Sequence, residues 1–319
     1  MMIRFKTFLK EYRDEIFLSL VLAALLVFLL TLTPCRYAKW DTVRDIMSQV
    51  PEMGLMALAM MAAVFAGGIN LSVVAGASFS AIVAAKFMHA QWAQEQMLLA
   101  TVLGVCVLVA VSAVTGALNG YLIERIGIGP VMTTLAAAFL FEGIGLALTG
   151  GNVVSIRQPQ FLKIASGAAG PIPVPFIIFI AVSVLCWFLF ERSSWGRQLH
   201  TAVCSSKDAS RLAGAWFFGV LPLAYLVSGV LSGLSGMLIS ARVCSAKTGY
   251  GTSYLLMAVT AVAIGGADFG GKRVTVLRTV LGILILKVLC VGFAVVFPDS
   301  VLVDILVGGI LIFVLGMRS

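Results

Sequence analysis

Apolar residues run in long blocks separated by short polar stretches, and ten such blocks stand out, at about 16–32, 53–66, 73–87, 97–118, 130–148, 174–190, 216–240, 254–264, 274–296 and 301–316. Most match the roughly 20 apolar residues that cross a bilayer as a helix. The second, third and eighth are too short for a straight span, which predicts broken or re-entrant helices whose freed backbone groups are satisfied inside the protein. The block at 16–32 follows a basic segment, as a secretory signal does. It is long for one, and Pro34, Cys35 and Arg36 follow in place of a small-residue cleavage site, so it is read as the first membrane helix.

Composition agrees. Of 319 residues 61% are hydrophobic and 11% charged, with a mean hydropathy of +1.07. A soluble domain carries about 25% charged residues, so a soluble enzyme, a disordered chain and a coiled coil are excluded. The expected fold is an all-α polytopic transmembrane bundle of about ten helices, forming one domain over residues 1–319. The net charge of +8 follows from the excess of Lys and Arg that marks cytoplasmic loops. With the N-terminus inside, inner segments hold thirteen Lys and Arg and outer segments eight, which places both termini in the cytoplasm. Trp40, Trp92, Trp195, Trp216, Tyr12, Tyr37 and Tyr121 fall at the ends of the blocks, where amphipathic rings favour the interface. No basic stretch with interleaved aromatics suits nucleic acid. The six cysteines show no C-x-x-C spacing, and His89 and His200 are far apart, so no metal site is expected.

Candidate chemistry is sparse. Gly266 to Arg273 fits G-x-x-x-x-G-K, but Arg273 stands where Ser or Thr should hold magnesium, and the stretch joins two apolar helices. No other catalytic motif appears, so the chain is expected not to be an enzyme. Glu142, Lys287 and Asp304 lie within or near apolar blocks, where ionisable groups are costly and mark function by default. Glu142 is the most central of them, fitting either a pathway role or a buried structural partner. Gly116/Gly120 and Gly229/Gly233 have the spacing that lets helices approach closely. Two Gly-Gly breaks recur in similar company, Phe65-Ala66-Gly67-Gly68-Ile69-Asn70 and Ala263-Ile264-Gly265-Gly266-Ala267-Asp268. Such interruptions point to a substrate path. The largest polar interruption, residues 191–214, ends in a short amphipathic helix expected at Ser206 to Ala213, with Asp208 and Arg211 placed as the helix dipole favours.

At this loop the chain resembles a known family. Gly196-Arg197, Ala202-Val203 and Ala209-Ser210-Arg211-Leu212-Ala213-Gly214 are similar to the coupling loop of the ribose/galactoside/autoinducer-2 class of bacterial ABC-importer permeases. Gly67-Gly68-Ile69-Asn70-Leu71-Ser72-Val73 resembles that family's GGIDLSVG segment, and Gly116 through Ile123 its GxLNGxLI segment. Pro130 with Thr133-Thr134-Leu135, Thr248-Gly249-Tyr250, and Ile264 through Lys272 continue the likeness in order. The departures are Asn70 for the usual Asp, Cys204-Ser205-Ser206 for Gly-Gly-Asn, one extra residue before Ala202, Glu142 where Arg is frequent, and Arg273 for the last Gly of GGxG.

The resemblance implies a multi-pass permease of the bacterial inner membrane that forms the path for a monosaccharide or similar small polar solute. It implies a periplasmic binding protein that delivers the solute and a second permease, either another copy or a related chain. It also implies cytoplasmic ATPases that carry ATP and magnesium, leaving no cofactor in this chain. On that basis Gly196, Arg197, Asp208, Arg211, Leu212 and Gly214 form the ATPase-coupling loop, with Arg197, Asp208 and Arg211 docking by charge. Asn70, Asn119 and Glu142 are candidates for polar groups along or beside the path. A stand-alone ion-coupled carrier or channel, with Glu142 as its coupled group, is the alternative.

Overall fold

In the computed structural model the described residues are 13–32, 40–204, 219–267, 274–296, 305 and 307–313. They form a helical bundle. Its helices are α1 (Arg13–Leu32), α2 (Trp40–Phe65), α3 (Val73–Met88), the short α4 (Gln91–Glu95), α5 (Met97–Tyr121), α6 (Pro130–Thr149), α7 (Pro159–Ser166), α8 (Val174–Trp187), α9 (Ser194–Cys204), α10 (Val220–Val243), α11 (Thr252–Ile264) and α12 (Val276–Val296). Residues 307–313 are also helical. Two-residue strands β1 (Val154–Ser155) and β4 (Ser245–Ala246) pair antiparallel, as do β2 (Ala168–Ala169) and β3 (Ile172–Pro173).

Among the described residues six helices are long and apolar enough to span a bilayer, within α2, α5, α6, α8, α10 and α12. The short α3 and α11, of 16 and 13 residues, bear out two of the three short blocks. The second block is a correction: α2 is a continuous helix of 26 residues with Pro51 inside it. Asp45, Ser48 and Glu52 in its first half concealed its length from a count of apolar residues alone. Those three positions carry one polar stripe at helical spacing, whereas the second half is Met and Ala on all sides. A helix apolar all round belongs at the centre of a bundle, and every residue from Pro51 to Ala66 is buried.

Connections alternate between two ends. At one end, Phe65 stacks on Phe190 with ring centroids 5.0 Å apart, the Gly219 amide donates to Glu124 Oε1 at 3.1 Å, and Arg278 bonds Glu15 at 2.7 Å. At the other, Lys86 donates to the Leu148 carbonyl, Gln158 Nε2 to the Met88 carbonyl at 2.5 Å, and the Ile156 amide to the Cys244 carbonyl at 2.9 Å. The exposed faces of α5, α6 and α8, with Val114, Phe139 and Leu185 among them, are what a lipid-facing ring requires.

Helices α5 and α10 meet backbone to backbone. A methyl group on Gly116 would lie 2.2 Å from the Tyr225 carbonyl oxygen, and one on Gly229 would lie 2.3 Å from that of Ser112. The two glycines face each other, so the GxxxG spacing serves close packing. Gly116→Leu is therefore expected to cost at least the 1–3 kcal/mol or so of an overpacked core. Gly143→Leu, where nothing lies within 4 Å, should cost nothing. Thermal unfolding of the purified chain in mild detergent checks the contrast; equal midpoints would refute the packing assignment.

Candidate functional site: the broken helices and the coupling helix

Helix α2 stops at Phe65 with a glycine in the left-handed region. Gly67 has φ +76°, its amide donates to the Val64 carbonyl at 2.9 Å, and the Gly68 amide reaches back to Ala63 at 3.1 Å. That is a Schellman cap, and only glycine takes the conformation without strain. The second break repeats it: Gly266 has φ +89°, its amide donates to Ala263 at 3.0 Å, and the Ala267 amide to Val262 at 3.3 Å. Gly67 faces Val203 of α9, while Gly265 lies against the Arg278 backbone at the start of α12. Both breaks thus sit at the same end of the bundle, as the helix order predicts.

Beyond the first break the chain re-enters as α3, and Asn70 organises the turn. Its Oδ1 accepts from the Ser72 amide at 3.0 Å and the Ser72 hydroxyl at 2.7 Å. Its Nδ2 donates to Ser228 Oγ on α10 at 2.9 Å, and that hydroxyl donates to the Ala59 carbonyl on α2 at 2.7 Å. Asn119 on α5 donates through Nδ2 to Ser72 Oγ at 2.7 Å. The Leu71 amide donates to Thr134 Oγ1 on α6 at 3.1 Å. Asn70, Ser72, Asn119, Thr134 and Ser228 are all buried, so the network joins α2, α3, α5, α6 and α10 at one point. Asn119 Oδ1 and the Tyr225 hydroxyl are buried there without a hydrogen-bond partner.

Of the residues singled out for the path, the structure therefore brings Asn70 and Asn119 together, each enclosed by protein. Glu142 is half-buried on α6, eight residues beyond Thr134 and so about 12 Å along the helix, apart from that network.

The first half of the coupling region is helical. Helix α8 ends in a π-helical turn over Leu189 and its neighbours, Phe188–Arg192, and the chain folds back as α9, where a polar loop was expected. Gly196 allows the reversal: a methyl group there would lie 2.0 Å from the Phe190 carbonyl oxygen. The Gly196 amide donates to Ser193 Oγ at 3.0 Å, and Arg197 Nη1 to the Arg192 carbonyl at 2.8 Å. Phe190 packs between Phe65 and Trp195, with centroids 5.0 and 5.3 Å away. Glu191 Oε1 accepts from the Val276 amide at 2.8 Å, placing a carboxylate at the positive end of α12. A cleft of about 670 Å³ lies between these parts, lined by Phe65, Glu191, Arg197, His200, Thr275 and Arg278 among others. The expected helix at Ser206 to Ala213, the docking candidates Asp208, Arg211, Leu212 and Gly214, the Gly270–Arg273 stretch and Asp304 lie outside the described residues.

A profile described as branched-chain amino acid transport system / permease component matches residues 42–315. The chain belongs to that permease family. It is similar to the D-allose transport system permease protein of Escherichia coli (strain K12), 27% identical over 292 residues that cover 92% of this chain and 87% of the relative. It is likewise similar to the ribose import permease protein of Bacillus subtilis (strain 168), at 30% over 292 residues, 91% of this chain and 88% of the relative. The autoinducer 2 import system permease protein of Yersinia pestis (strain Pestoides F) is 28% identical over 310 residues, 94% of this chain and 91% of the relative. No solved structure gives a significant match.

The permease is a transport subunit of the inner membrane, not an enzyme, and the comparisons favour an ABC-importer permease over a stand-alone carrier. Permeases of such importers work with ATPase and substrate-binding subunits. Sequence reasoning missed a second polar cluster in this permease. Glu52 of α2 is buried and bonded to Arg242 of α10 at 2.7 Å. It was missed because it lies one residue before an apolar block; the 45–48–52 stripe was the signal that reveals it. Lys287 is buried in α12 at 7% exposure, so its side chain is held by protein.

The bracing network makes a direct prediction. Asn70→Ala removes three hydrogen bonds and strands buried partners, and about 1–3 kcal/mol of stability should go with it. Ser78→Ala, whose hydroxyl bonds only carbonyls of its own helix, should leave stability nearly unchanged. Detergent melts of the two variants test this, and an Asn70→Ala chain as stable as the wild type would count against the network.

Proposed function

We propose that this permease, paired with a second permease chain, forms the translocation path of an ATP-driven importer for a monosaccharide or similar small polar solute. A periplasmic binding protein delivers the solute, and cytoplasmic ATPases bind ATP and magnesium. The end carrying α9 and both Gly-Gly breaks faces the cytoplasm, as do both termini, and the end carrying β1 and β4 faces the periplasm. The observation that carries this reading is the seating of α9. Through Gly196, Phe190 and Val203 it rests on the first break, and through Glu191 it is tied to α12, which follows the second. A subunit without an engine of its own needs such a part, one that turns a push from outside the membrane into movement of broken helices within it.

On this reading Gly196 and Arg197, with Asp208, Arg211, Leu212 and Gly214, dock the ATPase. Asn70 and Asn119 lie beside the path and brace its broken helix, while Glu142 is a further polar group along α6. Affinity beyond this belongs to the binding protein, which accounts for the scarcity of ligand-like clusters in the chain. The similarity to permeases named for D-allose, ribose and autoinducer 2 supports small hydroxylated solutes as the first candidates.

The test is purification of the tagged permease from its native membrane in mild detergent, with stoichiometric companions identified by mass spectrometry. A soluble ATPase is expected with it, and a chain that emerges alone from membranes containing such ATPases would sink the proposal. Arg211→Glu should abolish ATP-driven uptake while leaving membrane insertion intact. Normal uptake by that variant would remove the coupling assignment.

A further inference from the structure

At the end of the bundle away from α9, one carboxylate oxygen holds three helices. Glu52 Oε2 on α2 takes Arg242 Nη2 of α10 at 2.7 Å and the Tyr254 hydroxyl of α11 at 3.1 Å. Arg242 and Tyr254 also face each other at 3.4 Å, which closes a triangle. Ser235 of α10 adds a hydrogen bond to the Glu52 carbonyl at 2.7 Å. The burial is lopsided, with the Glu52 side chain 2% exposed and that of Arg242 46% exposed. The carboxylate is fixed in the wall and the guanidinium is the member free to leave.

Two residues beyond Arg242 the backbone is strained. Cys244 has φ +56° and is, among the described residues, the only non-glycine in the left-handed region. Such a conformation persists only where the surroundings impose it. Here they do: Cys244 accepts from the Ile156 amide, and β4 immediately after pairs with β1. A strained turn held by a two-residue ladder and one ion pair is an element with a stored tendency to move.

We propose that Glu52, Arg242 and Tyr254 form a latch holding the ends of α10 and α11 against the central helix α2, and that its release opens the outer end of the path. The chemistry allows the latch to be reversible. A buried carboxylate stripped of its cation is strongly unfavourable, and the latch takes Lys287, buried in α12 where that helix packs on α2, as the cation that replaces Arg242 when it swings out. Arg242 and Tyr254 on Glu52 thereby couple three helices in the shut state, and a Lys287–Glu52 pair would leave α10 and α11 untied. The word outer rests on the orientation proposed above; the latch does not.

The test uses Ala246→Cys as a reporter, in a chain whose six native cysteines are replaced, assembled with its co-purifying partners in membrane vesicles. Ala246 is 1% exposed in β4 and should react slowly with a membrane-impermeant maleimide while the latch is shut. Arg242→Gln should speed labelling by roughly ten-fold or more, the size expected from losing one charge-assisted hydrogen bond, and Tyr254→Phe by less. Equal labelling rates in these folded variants and the unaltered reporter would overturn the latch. If Arg242→Gln fails to fold, Glu52→Gln and Tyr254→Phe decide by the same criterion. Acceleration in inside-out vesicles instead of right-side-out ones would support the latch and overturn the orientation, so the two ideas fail separately.

Discussion

Lipid offers no hydrogen bonds, so a helix that stops inside this bundle must close its own backbone, and the rest of the structure is arranged around two such stops. Each is closed by the same device, a left-handed glycine whose amide and the next one return to the final turn. The cap settles the stopped helix but leaves the departing chain with free groups. At the first break Thr134 takes up the Leu71 amide and the Ile69 carbonyl and Asn70 the Ser72 amide, with Ser72 and Ser228 holding the Asn70 side chain. The result is a break whose polar side chains are buried and which is made of short-range hydrogen bonds instead of packed side chains. Hydrogen bonds of this kind are exchanged at low net cost, about 1 kcal/mol each, whereas a packed helix face moves only as a body.

That difference separates the frame from the moving parts. Helices α5 and α10 touch through glycine backbones, and α2 is buried throughout its second half, so their relative position is fixed by volume. Helix α11 is short and ends in the second capped break, and α3 is short and begins just after the first. Helix α9 packs on α2 and α10 and reaches the first break through Val203, without crossing the bundle. Its turn at Gly196 is as close as atoms allow, so a displacement of α9 is passed to Phe190 and thence to Phe65 and Gly67, rather than absorbed in a slack loop.

Much of this was legible in the chain. Block lengths identified five of the six spans among the described residues, the glycine pairs their contact, and the Gly-Gly dipeptides the breaks, because each depends on local rules that a linear sequence carries. The start of α2 was not legible from block length, since its first turns carry Asp41, Arg44, Asp45 and Ser48. Helix α9 was hidden for a similar reason: SWGRQLHTAVC is helical through an apolar face laid on Phe190 and Leu189, not through burial on all sides. Asn70 and Asn119 were recognisable as polar residues in apolar company, but that they meet through Ser72 depends on α3 and α5 packing side by side, which no spacing reveals.

The first break and the far end of the permease hold their elements by different physics, and the difference suits an importer. The first break is braced by neutral amides and hydroxyls, which re-form wherever a donor finds an acceptor and so tolerate graded movement. The opposite end is held by a charge pair in a low-dielectric wall, where a carboxylate without a cation is too costly to persist. A pair of that kind is either made or exchanged for another partner, with little population between. Graded movement at the driven end and two discrete arrangements at the far end give the chain a way to turn a continuous push into an open or shut path.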